Sequence, residues 1–230
     1  MYNNKKISLV IPCHNEEKGI QELLRGKPFF VDEVIVVDNG STDNTKDVSE
    51  KCGATVVYEK KRGYGQAYKS GLPRANGDII ITLDGDNSYP LFELEKMLSY
   101  MERGNYDFVV GCRYPLVQSN AQPLINKIAN GLMSWLISIL FRINLRDSQS
   151  GMMVFKRGVL DEIKVKNTDM GFSQEFKIKA FLNPEITCGE VHISYLQRMG
   201  NVKFKKIDAI KNLCSAFGLY LFKLTSRLKF

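Results

Sequence analysis

The chain has no C-x-x-C pair, no segment repeating at a fixed period, no compositionally simple tract and no uninterrupted apolar run of bilayer length. Each absence closes a class. The five cysteines, Cys13, Cys52, Cys112, Cys188 and Cys214, are odd in number and scattered, which fits reduced cytosolic thiols better than a disulfide framework or a zinc site. Without a period there is no solenoid or propeller to expect, and without biased tracts there is no ground for disorder. The most apolar stretch, residues 124 to 143, is interrupted by polar side chains, and its clean part is shorter than the ~20 apolar residues that cross a bilayer. MYNNKKISLVIP passes directly into a strand pattern, so no signal peptide is expected. His14 and His192 have no partners at a recognisable spacing and are read as structural.

What is present suffices for one sizeable α/β core: 230 residues, 44% of them hydrophobic, undivided by a Pro/Ser linker or a charge block. We expect a single unit over residues 1 to 206 and a C-terminal extension over 207 to 230. The net charge of +7 lies at the end, where eight basic residues from Arg198 onward face one acid, Asp208. A basic end suits nucleic acid, an anionic membrane surface or a phosphorylated substrate. Here Ile207, Ile210, Cys214, Phe217, Leu221, Leu224 and Leu228 recur among the basic residues at three-and-four spacing, which favours a helix in the plane of a membrane interface over nucleic acid. In residues 124 to 143, Asn126, Asn130, Ser134 and Ser138 step by four along one seam of a helix. Packing on the core and contact with a membrane both remain open for these two helices.

Strand-like runs alternate with helix-like ones: ISLVIP before EEKGIQELLRG, DEVIVVDNG before STDNTKDVSEKCG, ATVVYE before GQAYKSGLPRANG, GDIIITLDGD before PLFELEKMLSYMERG, and then YDFVVGCR. Such alternation predicts an open, mostly parallel sheet with flanking helices, and in such sheets ligands gather beyond the C-terminal strand ends. Those ends carry Pro12 to Glu16, Asp38 to Asp43, Asp84 to Asp86, and Arg113. GDIIITL has no polar side to turn to water, so it reads as a strand covered on both faces that stops abruptly at acid. Asp84 and Asp86, separated by one glycine, can share a hard divalent cation such as Mg²⁺ or Mn²⁺. A cation held there would neutralise a departing diphosphate.

In order, VIPCHNEE, VVDNGSTDNT, RGYGQA, ANGDIIITLDGDNSYP, VVGCR, DSQSG, MGFSQEFKIKA and YLQRMGNVKF resemble family 2 glycosyltransferases of the GT-A fold. More narrowly, they are similar to the polyprenyl-phosphate (dolichyl-phosphate) glucose and mannose synthases, over residues 7 to 206. The resemblance implies inverting transfer of a hexose from a UDP- or GDP-sugar to a lipid phosphate such as dolichyl or undecaprenyl phosphate, with Mg²⁺ or Mn²⁺. It assigns Pro12, Asn15, Glu16 and Asp38 to the nucleotide pocket, where carboxylates can accept from ribose hydroxyls or a base N–H. Gly63 and Gly65 resemble the glycine-bearing turn before the family's third helix, and they lack the third glycine of a dinucleotide site. Asp84 and Asp86 take the D-x-D role, and Ser88 stands where some relatives have a metal-ligating glutamine, able to reach a metal weakly or through water. Ser41, Thr42 and Asp43 are either helix caps or ligands. Arg198 and Lys203 resemble an R-x-G-x-x-K signature near acceptor or diphosphate, and Asp147 and Glu175 match family positions that orient the donor sugar or hold Arg side chains.

A phosphate acceptor changes what the site must supply. An alcohol needs a general base as it attacks, whereas a phosphate monoester, with a second pKa of ~6, is already an anionic nucleophile. It needs cations, and Arg113, Arg198 and Lys203 are the candidates. Two alternatives are carried: transfer to a saccharide hydroxyl with Glu175 or Asp147 as base, and a catalytically silent nucleotide-sugar binding module. Related lipid-phosphate enzymes carry C-terminal transmembrane helices. This sequence shows none, so we expect peripheral attachment to the cytoplasmic face of a membrane, directly or through a membrane protein partner.

Overall fold

The computed structural model describes residues 1–118, 121–203 and 206–225. Among the described residues seven strands form one sheet: β1 (Ile7–Cys13), β2 (Glu33–Asp38), β3 (Thr55–Tyr58), β4 (Ile79–Thr82), β5 (Phe108–Cys112), β6 (Met153–Lys156) and β7 (Cys188–His192), in the order β3-β2-β1-β4-β6-β5-β7. The helices are α1 (Glu17–Arg25), α2 (Thr45–Lys51), α3 (Tyr64–Gly71), α4 (Glu93–Arg103), α5 (Leu124–Phe141), α6 (Val159–Glu162), α7 (Phe172–Leu182) and α8 (Lys206–Thr225). The first four strands are mutually parallel, β5 and β7 are parallel, and β6 runs antiparallel between β4 and β5, pairing Ile81 with Val154 and Val109 with Val154. This is the mostly parallel α/β sheet that the alternation predicts, with β6 and β7 as strands that it did not disclose.

Alternate side chains of each strand feed two apolar layers. Ile7, Leu9 and Ile11 of β1 pack with α1 and α4 on one face, and Val10 packs with α3, α5 and α7 on the other. Strand β4 is covered on both faces as its composition requires, with Ile79, Ile80 and Ile81 all buried. The register sets Cys13 beside Asp38, so β1 and β2 end at one edge. The turn after β4 returns to that edge. A Cβ at Gly85 would lie 2.4 Å from Cys13 Sγ, and one at Gly19 would lie 2.6 Å from the Gly85 carbonyl, so glycine at both positions permits the turn to seat between β1 and α1.

Helix α5 is inverted relative to an ordinary surface helix. Its polar seam from Asn130 onward faces the protein, while Asn126 is exposed: Asn130 donates to the Tyr114 hydroxyl at 2.9 Å, Ser134 Oγ meets Ser148 Oγ at 3.0 Å, and Ser138 Oγ donates to the Leu145 carbonyl at 3.1 Å. Leu124, Ile125, Ile128, Leu132, Trp135 and Ile139 face outward, Trp135 at 60% exposure. By length and composition over its 18 residues α5 is apolar enough to cross a membrane, against the expectation that this stretch is too short to do so. Helix α8 behaves alike, with Asn212 and Ala216 buried while Ile207, Ile210, Cys214, Phe217, Leu221 and Leu224 are exposed. The expected apolar stripe therefore points away from the core. Leu228, with the basic residues Lys205, Arg227 and Lys229, lies outside the described residues.

Candidate active site

The strand-end edge gathers most of the expected residues. Asp38, 4% exposed, accepts the Ser41 amide at 2.9 Å. Asn15, at φ 52°, accepts the Thr42 amide at 2.7 Å and donates its own amide to Ser41 Oγ at 3.0 Å. Asp43 accepts the amides of Thr45 and Glu17 at 3.0 and 3.2 Å, so its carboxylate caps the openings of α2 and α1. Pro12, half-buried near the end of β1, is in register with Val37. Gly63 has φ 145°, and a Cβ there would come within 2.4 Å of the Thr168 carbonyl. Its amide donates to Asn39 Oδ1 at 2.8 Å, so the glycine turn is tied to the end of β2.

Beside the end of β1 lies the acidic turn. Tyr64 donates to Asp84 Oδ1 at 2.9 Å, and Ser88 donates its hydroxyl and amide to Asp86 Oδ1 at 2.6 and 3.0 Å. Ser88 thus orients Asp86, and its hydroxyl is engaged by that carboxylate rather than presented as a ligand. Arg198 reaches Asp86 Oδ2 and Glu16 Oε1, each at 3.2 Å, while Lys203 pairs with Glu16 and donates to the Asn15 carbonyl at 3.2 Å. Burial and the adjacent Asp86 raise the Asp84 carboxyl to about 6. Burial likewise raises Glu16 to about 7, against the opposing Lys203 and Arg198. Among the described residues no group of three or more His, Cys, Asp or Glu is arranged to hold a metal. The two-carboxylate turn nevertheless suits Mg²⁺ or Mn²⁺ bound through substrate phosphates, since such ions take one or two carboxylates and complete their shell elsewhere. Two acids held close in low dielectric also favour a cation between them.

These shifts carry a sign. A carboxyl whose folded pKa exceeds its unfolded value binds more protons when folded, so its contribution to stability is lost as pH rises between the two values. For Glu16 the window runs from the ordinary carboxylate range to about 7. Thermal melts of Glu16→Gln and the parent in EDTA are expected to diverge in favour of the variant between pH 5 and 7.5. A difference that stays constant or shrinks over that range contradicts the assignment.

Arg113 and Glu175 sit elsewhere than foreseen, and Asp147 pairs with an arginine. Arg113, read as a phosphate contact, turns inward and forms a bidentate pair with Asp147, Nε to Oδ2 at 2.8 Å and Nη2 to Oδ1 at 2.9 Å, with both side chains buried. Its guanidinium also lies 5.1 Å from the Tyr195 ring centroid. Burial alone would raise the Asp147 carboxyl, but Arg113 outweighs it and holds it below its usual range. Asp147, read as orienting the donor sugar or holding an arginine side chain, holds Arg113. Glu175 is also buried, accepting the Lys166 and Asn167 amides at 2.8 and 2.9 Å and pairing with Lys179 at 2.8 Å. It braces the turn before α7. Sequence reasoning did not single out Tyr64, Asn39 or Lys177. Lys177 is fully buried and donates to the Ser150 and Asp147 carbonyls at 2.6 and 3.2 Å, fixing the 147–151 loop whose Gly151 packs on Asp84. Burial lowers its ammonium to about 7 against the pull of Asp147. His14, read as lacking a partner, meets the Arg62 guanidinium at 2.7 Å.

Residues 8–164 match the profile described as Glycosyl transferase family 2. The chain belongs to that family. Among curated family 2 relatives, the dolichyl-phosphate hexose transferase of Haloferax volcanii is 31% identical over 88% of this chain and 88% of its own length. The low-salt glycan biosynthesis hexosyltransferase Agl6 of the same organism is 28% identical over 94% of this chain, which spans 56% of Agl6. Glucosyl-3-phosphoglycerate synthase from Mycobacterium tuberculosis in complex with UDP superposes with a TM-score of 0.74 at 20% identity, over 94% of this chain and 80% of that one. The same enzyme in complex with Mn²⁺, UDP and glucosyl-3-phosphoglycerate gives 0.71 at 21% identity, over 94% and 81%. These structural matches establish the GT-A fold, and family membership makes the chain a glycosyltransferase.

Proposed function

We propose that this glycosyltransferase moves a hexose from a nucleotide diphosphate sugar to a polyprenyl phosphate at a membrane surface, inverting the anomeric centre. The observation that carries the reading is the inversion of α5, whose polar seam faces the protein while Ile128, Leu132 and Trp135 face outward. An in-plane helix with its apolar side in the acyl boundary has this arrangement. The name of the 31% identical Haloferax relative supports the same acceptor class, and the UDP and Mn²⁺ of the synthase complexes support the donor and cofactor class.

Asp86, with Asp84, would hold Mg²⁺ or Mn²⁺, which when bound supplies positive charge to the diphosphate as it leaves. Pro12, Asn15, Glu16 and Asp38, with Gly63, line the edge assigned to the nucleotide, where Arg198 pairs with Asp86 and Glu16 and Lys203 pairs with Glu16. The two acids considered as bases for a hydroxyl acceptor, Asp147 and Glu175, are bound in buried contacts. An acceptor that arrives already ionised needs neither. The unit over residues 1 to 206 carries this chemistry, and α8 with α5 supplies attachment.

With labelled UDP- or GDP-hexose, Mn²⁺ and polyprenyl phosphate, label is expected in a charged, butanol-extractable product. Label found only on free sugars or on phosphoglyceric acid overturns the reading. The double variant Ile128→Glu/Leu132→Glu is expected to lose co-sedimentation with anionic vesicles while melting within ~2 °C of the parent, because exposed positions seldom move stability by more than about 0.5 kcal/mol. Parent protein that stays in the supernatant at low salt removes the membrane component.

A further inference from the structure

We infer that Arg198 is a resident counter-cation for the acidic turn, which a divalent ion must displace and which the displacement releases toward the donor diphosphate. The inference rests on the reading that Asp84 and Asp86 hold a metal.

Three geometric facts carry it. First, Asp86 has one oxygen to offer: Oδ1 accepts both the hydroxyl and the amide of Ser88, and Oδ2 faces Arg198 Nη2 at 3.2 Å. A cation drawing on Asp86 therefore meets Arg198 at the same atom. Second, the guanidinium is held on both sides by charge, sharing Nη2 between Asp86 and Glu16, yet its pairing is incomplete. Arg198 Nε and Glu16 Oε2 are buried without a hydrogen-bond partner among the described residues. A buried donor left unmade costs free energy, so this pose is one the side chain can leave.

Third, the backbone does not have to leave with it. The Met199 amide donates to the Asp86 carbonyl at 2.8 Å and the Leu196 amide to the Ser88 carbonyl at 2.9 Å, lashing the strap that follows β7 to the acidic turn. Gly200, at φ 83°, then reverses the chain, and a Cβ there would stand 3.3 Å from Glu16 Oε2. Arg198 is thus tethered beside Asp86 by main-chain bonds that are independent of its charge. When a divalent ion takes Oδ2, the guanidinium is set free within side-chain reach of whatever anion accompanies the ion. Bidentate donors of this kind suit a diphosphate. Lys203 differs, because it pairs with Glu16 and the Asn15 carbonyl and does not touch Asp86.

The contrast makes the test. Mn²⁺ affinity is measured by electron paramagnetic resonance of free Mn²⁺ on the full chain without nucleotide, and again with saturating UDP. Arg198→Gln is expected to bind Mn²⁺ at least about tenfold tighter without UDP, a factor equal to ~1.4 kcal/mol, and to gain less from UDP than the parent does. Lys203→Met removes the same charge without freeing Asp86 Oδ2, and is expected to change Mn²⁺ affinity by less than about threefold, under ~0.7 kcal/mol. Unchanged or weaker Mn²⁺ binding in Arg198→Gln overturns the inference, as does equal tightening in both variants, which would reflect net charge alone. Absence of Mn²⁺ binding in the parent and in both variants, with and without UDP, overturns the metal reading itself.

Discussion

Asp86→Asn is expected to lower kcat/KM for hexose transfer by about a thousandfold or more while leaving the melting temperature within a few degrees of the parent. Removing one group that stabilises developing transition-state charge costs on the order of 10²–10³ in rate. Under the proposed function the carboxylate would hold a cation that supplies positive charge to the diphosphate, and Asp84 alone would retain a single anchoring point. Stability is spared because the buried neighbour of Asp86 is another acid: burial and Asp86 together push Asp84 up to about 6, so deleting one charge relieves the other. The carboxamide can still accept from Ser88, which preserves the turn. Ser88→Ala, which removes only the orienting hydroxyl, should fall between variant and parent. Steady-state rates against donor concentration at several Mn²⁺ levels, with thermal melts of the same preparations, decide the matter. Near-parental turnover in Asp86→Asn would remove the acidic turn from the chemistry.

Asp147→Ala is expected to destabilise the fold by about 3–5 kcal/mol, the usual cost of leaving one partner of a buried ion pair uncompensated. For a chain of this size that corresponds to a drop in melting temperature of roughly 6–20 °C. The reason is local: Asp147 is fully buried, Arg113 is 5% exposed, and Lys177 is fully buried beside the same loop. Without the carboxylate, the buried Arg113 guanidinium loses its ion-pair partner. Arg113→Met combined with Asp147→Leu should recover part of the loss, because a neutral pair of similar volume removes the guanidinium as well. Urea denaturation with the midpoint and slope both fitted separates this from a change in compactness. An unfolding free energy for Asp147→Ala within about 0.5 kcal/mol of the parent would show that the pair is solvated.

The parts of the fold legible in advance were those that carry their own periodicity. β4 and its acidic end stood out because three consecutive isoleucines leave no wet face and two aspartates interrupt them. β6 and β7 did not, since MVFK is four residues long and CGEVH lacks alternation. They are strands because β4 and β5 lie ready to pair with them, a long-range cause that no local window contains. The site divided along the same line. Glu16, Asp84, Asp86 and Arg198 were readable from their positions at strand ends or beside a glycine, and they meet. Arg113 and Asp147 were both noticed, but their mutual pairing joins residues 34 apart, and spacing holds no trace of it. Glu175 had the look of a surface acid on a helix. Helix α7 is enclosed instead, with Phe172, Phe176 and Lys177 all buried, so its acid needed internal partners. Tyr64 was one position from a glycine already singled out, and only the fold reveals that its hydroxyl points at Asp84.

Gly85 and Gly19 place the acidic turn in a vice whose jaws are Cys13 Sγ on one side and the first helix on the other. The height of the two carboxylates above the sheet is therefore dictated by sulfur and backbone radii, and not by the loop that bears them. A single methyl added to either jaw would push against the acidic turn, so the placing of both acids is written into two residues that have no chemistry of their own.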